Sequence, residues 1–303
     1  MTVPARDVRK ISGFRNEVAR RTFVAAYERA LAAWPVPPMP RDVETRYGTT
    51  HVHCCGASSG TPIVLLHAVA VSSPAWFGVV AALGEQHPVY AVDTITDAGR
   101  STQTSPVRDG SDAASWLDDT LAALDLDDAH LIGLSFGGWL ALNQARVAPR
   151  RLASVTAADP PGAIGRPRGW SMIKMLPDSV LAKAKSERAL HRLLRRLNNG
   201  EPMQQPLLDL CVAGLRTFRL KQPFPKRMSD TALAAIRTPT LLLFGDASPV
   251  NHAAQAARRA RRLLPDVECE VVADAGHMLP IENSELFTGR VLGFICDVDG
   301  RAS

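Results

Sequence analysis

The run Leu131-Ile132-Gly133-Leu134-Ser135-Phe136-Gly137-Gly138-Trp139-Leu140 constrains this chain more than any other stretch. It reads as a short apolar strand, then Gly-x-Ser-x-Gly, then a helix opening at Gly138. A serine on so tight a strand-to-helix turn needs positive φ. Neighbouring backbone also comes so close that only small residues fit two positions before and after it. Ser135 is therefore expected above a sheet, at a helix N-terminus whose free N–H groups favour developing negative charge. By composition alone the pattern arises in about one chain in ten of this length. Its meaning depends on whether other parts stand at the right distances.

The chain has 303 residues, 46% hydrophobic and 21% charged, which suits one sizeable α/β domain with an insertion and argues against extensive disorder. A net charge of +5 and a pI near 9.1 are a mild basic surplus that does not point to an anionic partner. Cys54, Cys55, Cys211, Cys269 and Cys296 form no CxxC pair and no metal-ligand spacing, as expected of reduced thiols in a cytoplasm. Met1 to Arg21 lacks the apolar core of a signal peptide. Pro62 to Leu83 is apolar, but His67, Ser72, Ser73 and Pro74 interrupt it, so strand, loop and helix explain it better than a membrane span. No histidine or carboxylate cluster has metal spacing, no Gly-rich loop has the flanks of a phosphate or dinucleotide site, and no basic-aromatic platform suggests nucleic acid. The expectation is thus no metal, no cofactor, no nucleic acid and no membrane, with a small-molecule substrate as partner. A homo-oligomer stays open.

Asp7 to Trp34 reads as a helix with Ile11, Phe14, Val18, Phe23, Tyr27, Leu31 and Trp34 on one face, ended by Pro35, Pro37 and Pro38. Val43 to Arg46 and Thr50 to Cys54 resemble an edge hairpin. Strands follow at Ile63 to Leu66, Val89 to Val92, His130 to Leu134 and Leu152 to Ala157, with helices at Ala113 to Leu124 and Trp139 to Val147 between them. Such alternation implies a parallel sheet covered on both faces, with function at the C-terminal strand ends. From Pro160 to about Arg237 the rhythm breaks into helices with no convincing strand, including an amphipathic Ser186 to Asn199. Thr240 to Phe244 and Val267 to Val272 then complete the sheet. The division expected is an N-terminal helical segment, 1–38, packed on the core; a core of 39–159 and 238–303; and a helical cap, 160–237.

Four motifs now stand in order: Leu65-Leu66-His67-Ala68, Asp97-Ala98-Gly99-Arg100-Ser101, Gly133 to Gly137, and Ala275-Gly276-His277. In this order they resemble the α/β-hydrolase superfamily over nearly the whole chain. Trp34-Pro35-Val36-Pro37, Tyr47-Gly48-Thr49-Thr50-His51-Val52, Ala91-Val92-Asp93-Thr94 and Gly137 to Leu142 are similar to a bacterial carboxylesterase-like branch. The resemblance implies Ser135 as nucleophile and His277 as base. It also implies an oxyanion hole from the backbone N–H groups of Phe136 and Val69. Ala68 stands where a glycine is usual, and Ala68, Trp76 and Trp170 are the candidate pocket residues. His67, Asp93, Asp97, Arg100 and Asp274 read as structural.

The acid departs from the pattern. Relatives usually carry it three residues after the glycine ending the strand that follows the cap; here that glycine is Gly245 and the residue three on is Ser248. Serine cannot hold the charge that stabilises an imidazolium. Three assignments remain open: Asp159, at the end of the strand after the nucleophile helix; Asp246; and no acid at all. The reaction expected is cofactor-independent hydrolysis of an ester, thioester or lactone of a small apolar molecule through an acyl-enzyme on Ser135. A lyase, cyclase or isomerase on the same site, or a ligand-binding pseudo-hydrolase, are the alternatives.

Overall fold

The computed structural model describes residues 11–165, 187–223 and 225–302. The chain opens with β1 (Gly13–Phe14) and α1 (Glu17–Leu31). Of the helix expected from Asp7, residues 7–10 lie outside the described residues and 11–16 are not helical; α1 starts at Glu17, where the Asn16 side chain accepts the Ala19 N–H at 2.8 Å and caps it. Its inner face buries Phe23, Ala26, Tyr27 and Ala30. Next come the antiparallel pair β2 (Met39–Thr45) and β3 (Gly48–Gly56), longer than the hairpin expected, then β4 (Ile63–Leu66), α2 (Val80–Gly84), β5 (Pro88–Val92) and the short β6 (Thr102–Gln103). Asp109 caps α3 (Gly110–Ala123), after which β7 (Ala129–Leu134), α4 (Phe136–Val147) and β8 (Leu152–Ala158) repeat the alternation.

Between β8 and the next core strand the described residues form α5 (Glu187–Leu197), α6 (Gln205–Thr217), β9 (Phe218–Arg219) and α7 (Asp230–Ala234). The strand β9 corrects the strand-free expectation: Phe218 pairs with Phe14 and Arg219 with Gly13, in a ladder too short to leave an alternating pattern. Phe14 touches both Phe23 and Phe218, with ring centroids 5.2 and 5.0 Å away, and α1 lies against α6. The N-terminal segment is therefore joined to the insertion as well as to the core. On α5, Leu190 and Leu194 are buried while Arg188, Arg195 and Arg196 are exposed, as its pattern predicts. Trp170 lies outside the described residues. The core resumes with β10 (Thr240–Gly245), α8 (Ala253–Leu263), β11 (Val267–Val272), α9 (Leu279–Glu282) and α10 (Ser284–Ala302).

The main sheet has the order β11-β10-β8-β7-β4-β5-β3-β2, with β6 paired to β3. From β11 to β5 neighbouring strands are parallel; β3 and β2 are antiparallel at the edge. Every residue of β4 and β7 is buried, because helices cover both faces. Alternate residues feed two separate cores: Ile63 and Leu65 pack with α1 and α10, and Val64 and Leu66 pack with α3, α4 and α8. The chain runs outward from β4 to β5, then crosses back to β7 on the other side of β4. The order thus reverses at the β4–β7 pair, and the carboxyl ends of these strands are where open sheets of this kind place their ligand sites. Among the described residues, no helix is long and apolar enough to cross a membrane.

Candidate active site

Ser135 sits at the carboxyl end of β7, between β7 and α4, with φ 54° and ψ −117°. The glycines around it are there for space. A Cβ on Gly137 would lie 1.9 Å from the Leu66 carbonyl oxygen, and one on Gly133 would lie 2.2 Å from the Gly137 backbone. The Ser135 carbonyl accepts the first helical bond, from Trp139 N–H at 3.0 Å, so the Phe136 N–H at the start of α4 has no partner within the helix. The Ser135 hydroxyl consequently stands where a helix N-terminus meets the end of β4.

His277 arrives from the turn after β11. Gly245, ending β10, makes room for it: a Cβ there would lie 2.1 Å from the Gly276 carbonyl oxygen. The buried imidazole spans two partners, with Nε2 2.8 Å from Ser135 Oγ and Nδ1 2.5 Å from Asp159 Oδ2. A carboxylate can only accept, so Nδ1 carries the ring proton and donates it to Asp159. Nε2 then presents its lone pair to the serine hydroxyl.

Asp159 reaches His277 because of strand register. Leu134 of β7 pairs with Ala158 of β8, so Ser135 and Asp159 leave adjacent parallel strands side by side. The Ser135 N–H donates to Ala158 O at 2.9 Å, and the Asp159 N–H to Leu243 O at 2.8 Å. Asp159 has φ 42°, a left-handed conformation that aspartate tolerates better than most residues. Its carboxylate is wholly buried and accepts from Ser248 Oγ at 2.6 Å and Asn251 Nδ2 at 2.9 Å, besides His277. Thus Ser248, three residues after Gly245, donates to a carboxylate that comes from the neighbouring strand. Asp246 is exposed, and its backbone N–H bonds to Val272 O at 3.0 Å. The structure brings Ser135, His277 and Asp159 together and leaves Asp246 at the surface. Sequence reading did not single out Asn251, and it treated Ser248 only as a missing acid. The signal available was a pair of short polar donors in the loop from which the carboxylate had gone.

Phe136 opens α4 directly after the serine, and Val69 stands in the loop that follows β4. Val69 lies between two fixed neighbours: the Ala68 carbonyl accepts from His67 Nδ1 at 2.7 Å, and the Ala70 N–H donates to Asp97 Oδ2 at 2.7 Å. His67 Nε2 accepts the Thr94 N–H at 3.0 Å, which places its proton on Nδ1. Burial pushes the Asp97 carboxyl above its ordinary value, while His67 and the Ala70 and Ala98 N–H groups pull the other way. Ala68 is buried in this loop, and Trp76 is buried in the short 3₁₀ turn Ser73–Trp76. Asp93 binds the Tyr27 hydroxyl at 2.9 Å and the N–H groups of Ser73 and Arg100 at 3.0 and 2.8 Å. Arg100 forms an ion pair with Glu28 and lies over the Tyr27 ring, which gives it a bracing place against α1.

A nucleophile-elbow serine, a histidine after the last strand and a buried aspartate on a parallel sheet define an α/β hydrolase. The chain belongs to that family, whose profile, described as the alpha/beta hydrolase family, matches residues 63–289. It is 32% identical over 284 residues to carboxylesterase YbfK of Bacillus subtilis, covering 90% of this chain and 93% of the relative. The crystal structure of that esterase, CesB (YbfK), superposes with a TM-score of 0.84 at 30% identity, over 92% of this chain and 99% of the other. The crystal structure of naproxen esterase, carboxylesterase NP, also from Bacillus subtilis, gives 0.85 at 27% identity, over 93% and 99%.

Proposed function

We propose that this protein is a cofactor-independent serine carboxylesterase acting on an ester, thioester or lactone of a small, moderately apolar molecule bound beneath residues 160–237 as a cap. The observation that carries this reading is the single imidazole bonded at once to Ser135 Oγ and Asp159 Oδ2. His277 takes the Ser135 proton as the hydroxyl attacks the acyl carbon, and later returns a proton to the leaving alkoxide. Asp159 holds the ring in the required tautomer and stabilises the imidazolium, with Ser248 and Asn251 keeping the carboxylate in place. The backbone N–H groups of Phe136 and Val69 receive the oxyanion of the tetrahedral intermediate. Water, activated by the same histidine, then releases the acid from the acyl-enzyme. Esterase relatives matched over nine-tenths of the chain support the ester class. The five scattered cysteines, free in the structure, are the motive for placing the enzyme in a cytoplasm.

A series of p-nitrophenyl esters of increasing acyl length tests the reading. Turnover above background that disappears in Ser135→Ala supports it; no turnover, or turnover unchanged in that variant, rejects it. The lyase, cyclase or isomerase alternative draws its motive from the missing acid at Ser248 and from Ala68 in place of the usual glycine; the Asp159 carboxylate 2.5 Å from His277 Nδ1 speaks against the first of these and leaves the second. Labelling of Ser135 by a fluorophosphonate separates hydrolysis from a non-covalent reaction, and binding without turnover would point to a pseudo-hydrolase.

A further inference from the structure

The triad leaves one carboxylate beside His277 without a role. Glu282, at the end of α9, folds back over the turn that carries the base. Its Oε2 accepts the Gly276 N–H at 2.6 Å and its Oε1 accepts the Met278 N–H at 2.8 Å. The N–H between these two, that of His277 itself, donates to Leu197 O at 2.8 Å, where α5 ends. Three consecutive backbone donors are therefore fixed, two of them by one side chain. The packing is as tight as the bonding: a Cβ on Gly276 would lie 2.6 Å from Glu282 Oε1 and 2.7 Å from the Asn199 nitrogen.

We propose that Glu282 is a positioning residue for the base: a carboxylate clamp across the His277 turn that sets the reach of the imidazole to Ser135. The inference rests on the esterase reading above. During turnover the ring must pass a proton from Ser135 to the leaving group while keeping its bond to Asp159, and a small displacement of its backbone changes both distances together. The clamp needs an acceptor on each side of His277, and a carboxylate supplies two. A glutamine would turn an NH₂ group toward one of the two N–H donors, so an isosteric amide cannot replace it. Half-burial pushes the Glu282 carboxyl up, whereas the two N–H bonds and the His277 imidazole draw it back down.

The test uses the full chain and p-nitrophenyl acetate, comparing Glu282→Gln, Glu282→Asp and Glu282→Ala, with active sites counted by a fluorophosphonate. Glu282→Gln is expected to lower kcat about 10- to 100-fold with KM nearly unchanged. Fluorophosphonate labelling should slow in parallel yet still reach one label per chain, showing an intact fold. Glu282→Asp, which keeps two acceptor oxygens, should retain more activity than the amide. The low-field proton resonance of His277 Nδ1–H should move or broaden in Glu282→Gln. A kcat within about twofold of the parent, or a loss confined to thermal stability or KM, overturns the clamp. If the parent chain hydrolyses no ester, the esterase reading fails on its own. The His277 resonance still decides the clamp, because an unmoved signal in Glu282→Gln rejects it.

Discussion

Among the described residues two Ser-His-Asp constellations stand out, one at each end of the sheet. At the carboxyl ends of the strands stand Ser135, His277 and Asp159. Near the amino ends, His130 of β7 lies between Ser154 of β8, 2.8 Å from its Nδ1, and Asp299 of α10, 3.1 Å from its Nε2. The residue types are the same and each imidazole is 2.8 Å from its serine, yet the carboxylate lies at 2.5 Å in the first set and 3.1 Å in the second, and the arrangements are chemically unlike. In the lower set the ring is reversed, with Nδ1 on the serine and Nε2 on the carboxylate. Ser154 lies within a strand and is 1% exposed. Ser135 is on an elbow with positive φ, at the start of a helix. Three side chains in reach of one another therefore do not make a nucleophile. What sets Ser135 apart is its position at a strand's carboxyl end and a helix N-terminus, which the proposed reaction needs.

Mutation of each serine gives the largest contrast. Ser135→Ala should lower kcat by about 10⁵- to 10⁶-fold, whereas Ser154→Ala should leave kcat within about twofold and cost about 1 kcal/mol in a urea titration. A comparable loss of activity in both would erase the distinction. Next comes a transplant of the acid. In an Asp159→Asn background, Ser248→Asp places a carboxylate on the residue that now donates to Asp159, and should recover about tenfold or more in kcat/KM. A smaller effect is expected for Ser248→Ala alone, which removes one donor from the Asp159 carboxylate and should cost about tenfold in kcat at unaltered KM.

The smallest effect concerns the lower histidine. Burial lowers the His130 pKa, and Asp299 only partly opposes it. Between the ordinary histidine pKa near 6.5 and the lower folded value, the unfolded chain takes up a proton that the native chain refuses. The stability His130 contributes as a neutral ring is thus complete above that ordinary value and is lost as pH falls. His53, pushed down to about 4 by burial, acts in the same direction. Urea midpoints should fall between pH 7 and pH 4.5, and His130→Gln should flatten that slope. An equal slope in the variant would assign the acid sensitivity elsewhere.

Much of this was legible in the chain. The glycines at 133 and 137 report a backbone crossing, and a backbone crossing depends only on local residues. The order of strands and helices, the elbow and His277 could be read for the same reason. The acid could not be settled there, because the choice between Asp159 and Asp246 depends on the register of β7, β8 and β10, which brings residues far apart in sequence to one imidazole. Ser248 looked like a vacancy, since its role exists only relative to a carboxylate on another strand. Glu282 gave no signal, because what it binds is backbone. At the N-terminus a single capping asparagine marks the start of α1 further along than the apolar pattern suggested, and the two-residue pairing of β1 with β9 left no pattern to read.

The central claim is that the acid of the triad comes from β8 rather than from the loop after β10. It is tested most directly by kcat/KM on a p-nitrophenyl ester for Asp159→Asn beside Asp246→Asn, with active sites counted by fluorophosphonate labelling. Asp159→Asn is expected to lose about 10⁴-fold, and Asp246→Asn to stay within about threefold of the parent, as an exposed residue off the imidazole should. The reverse pattern, with Asp159→Asn near the parent and Asp246→Asn collapsed, would contradict it.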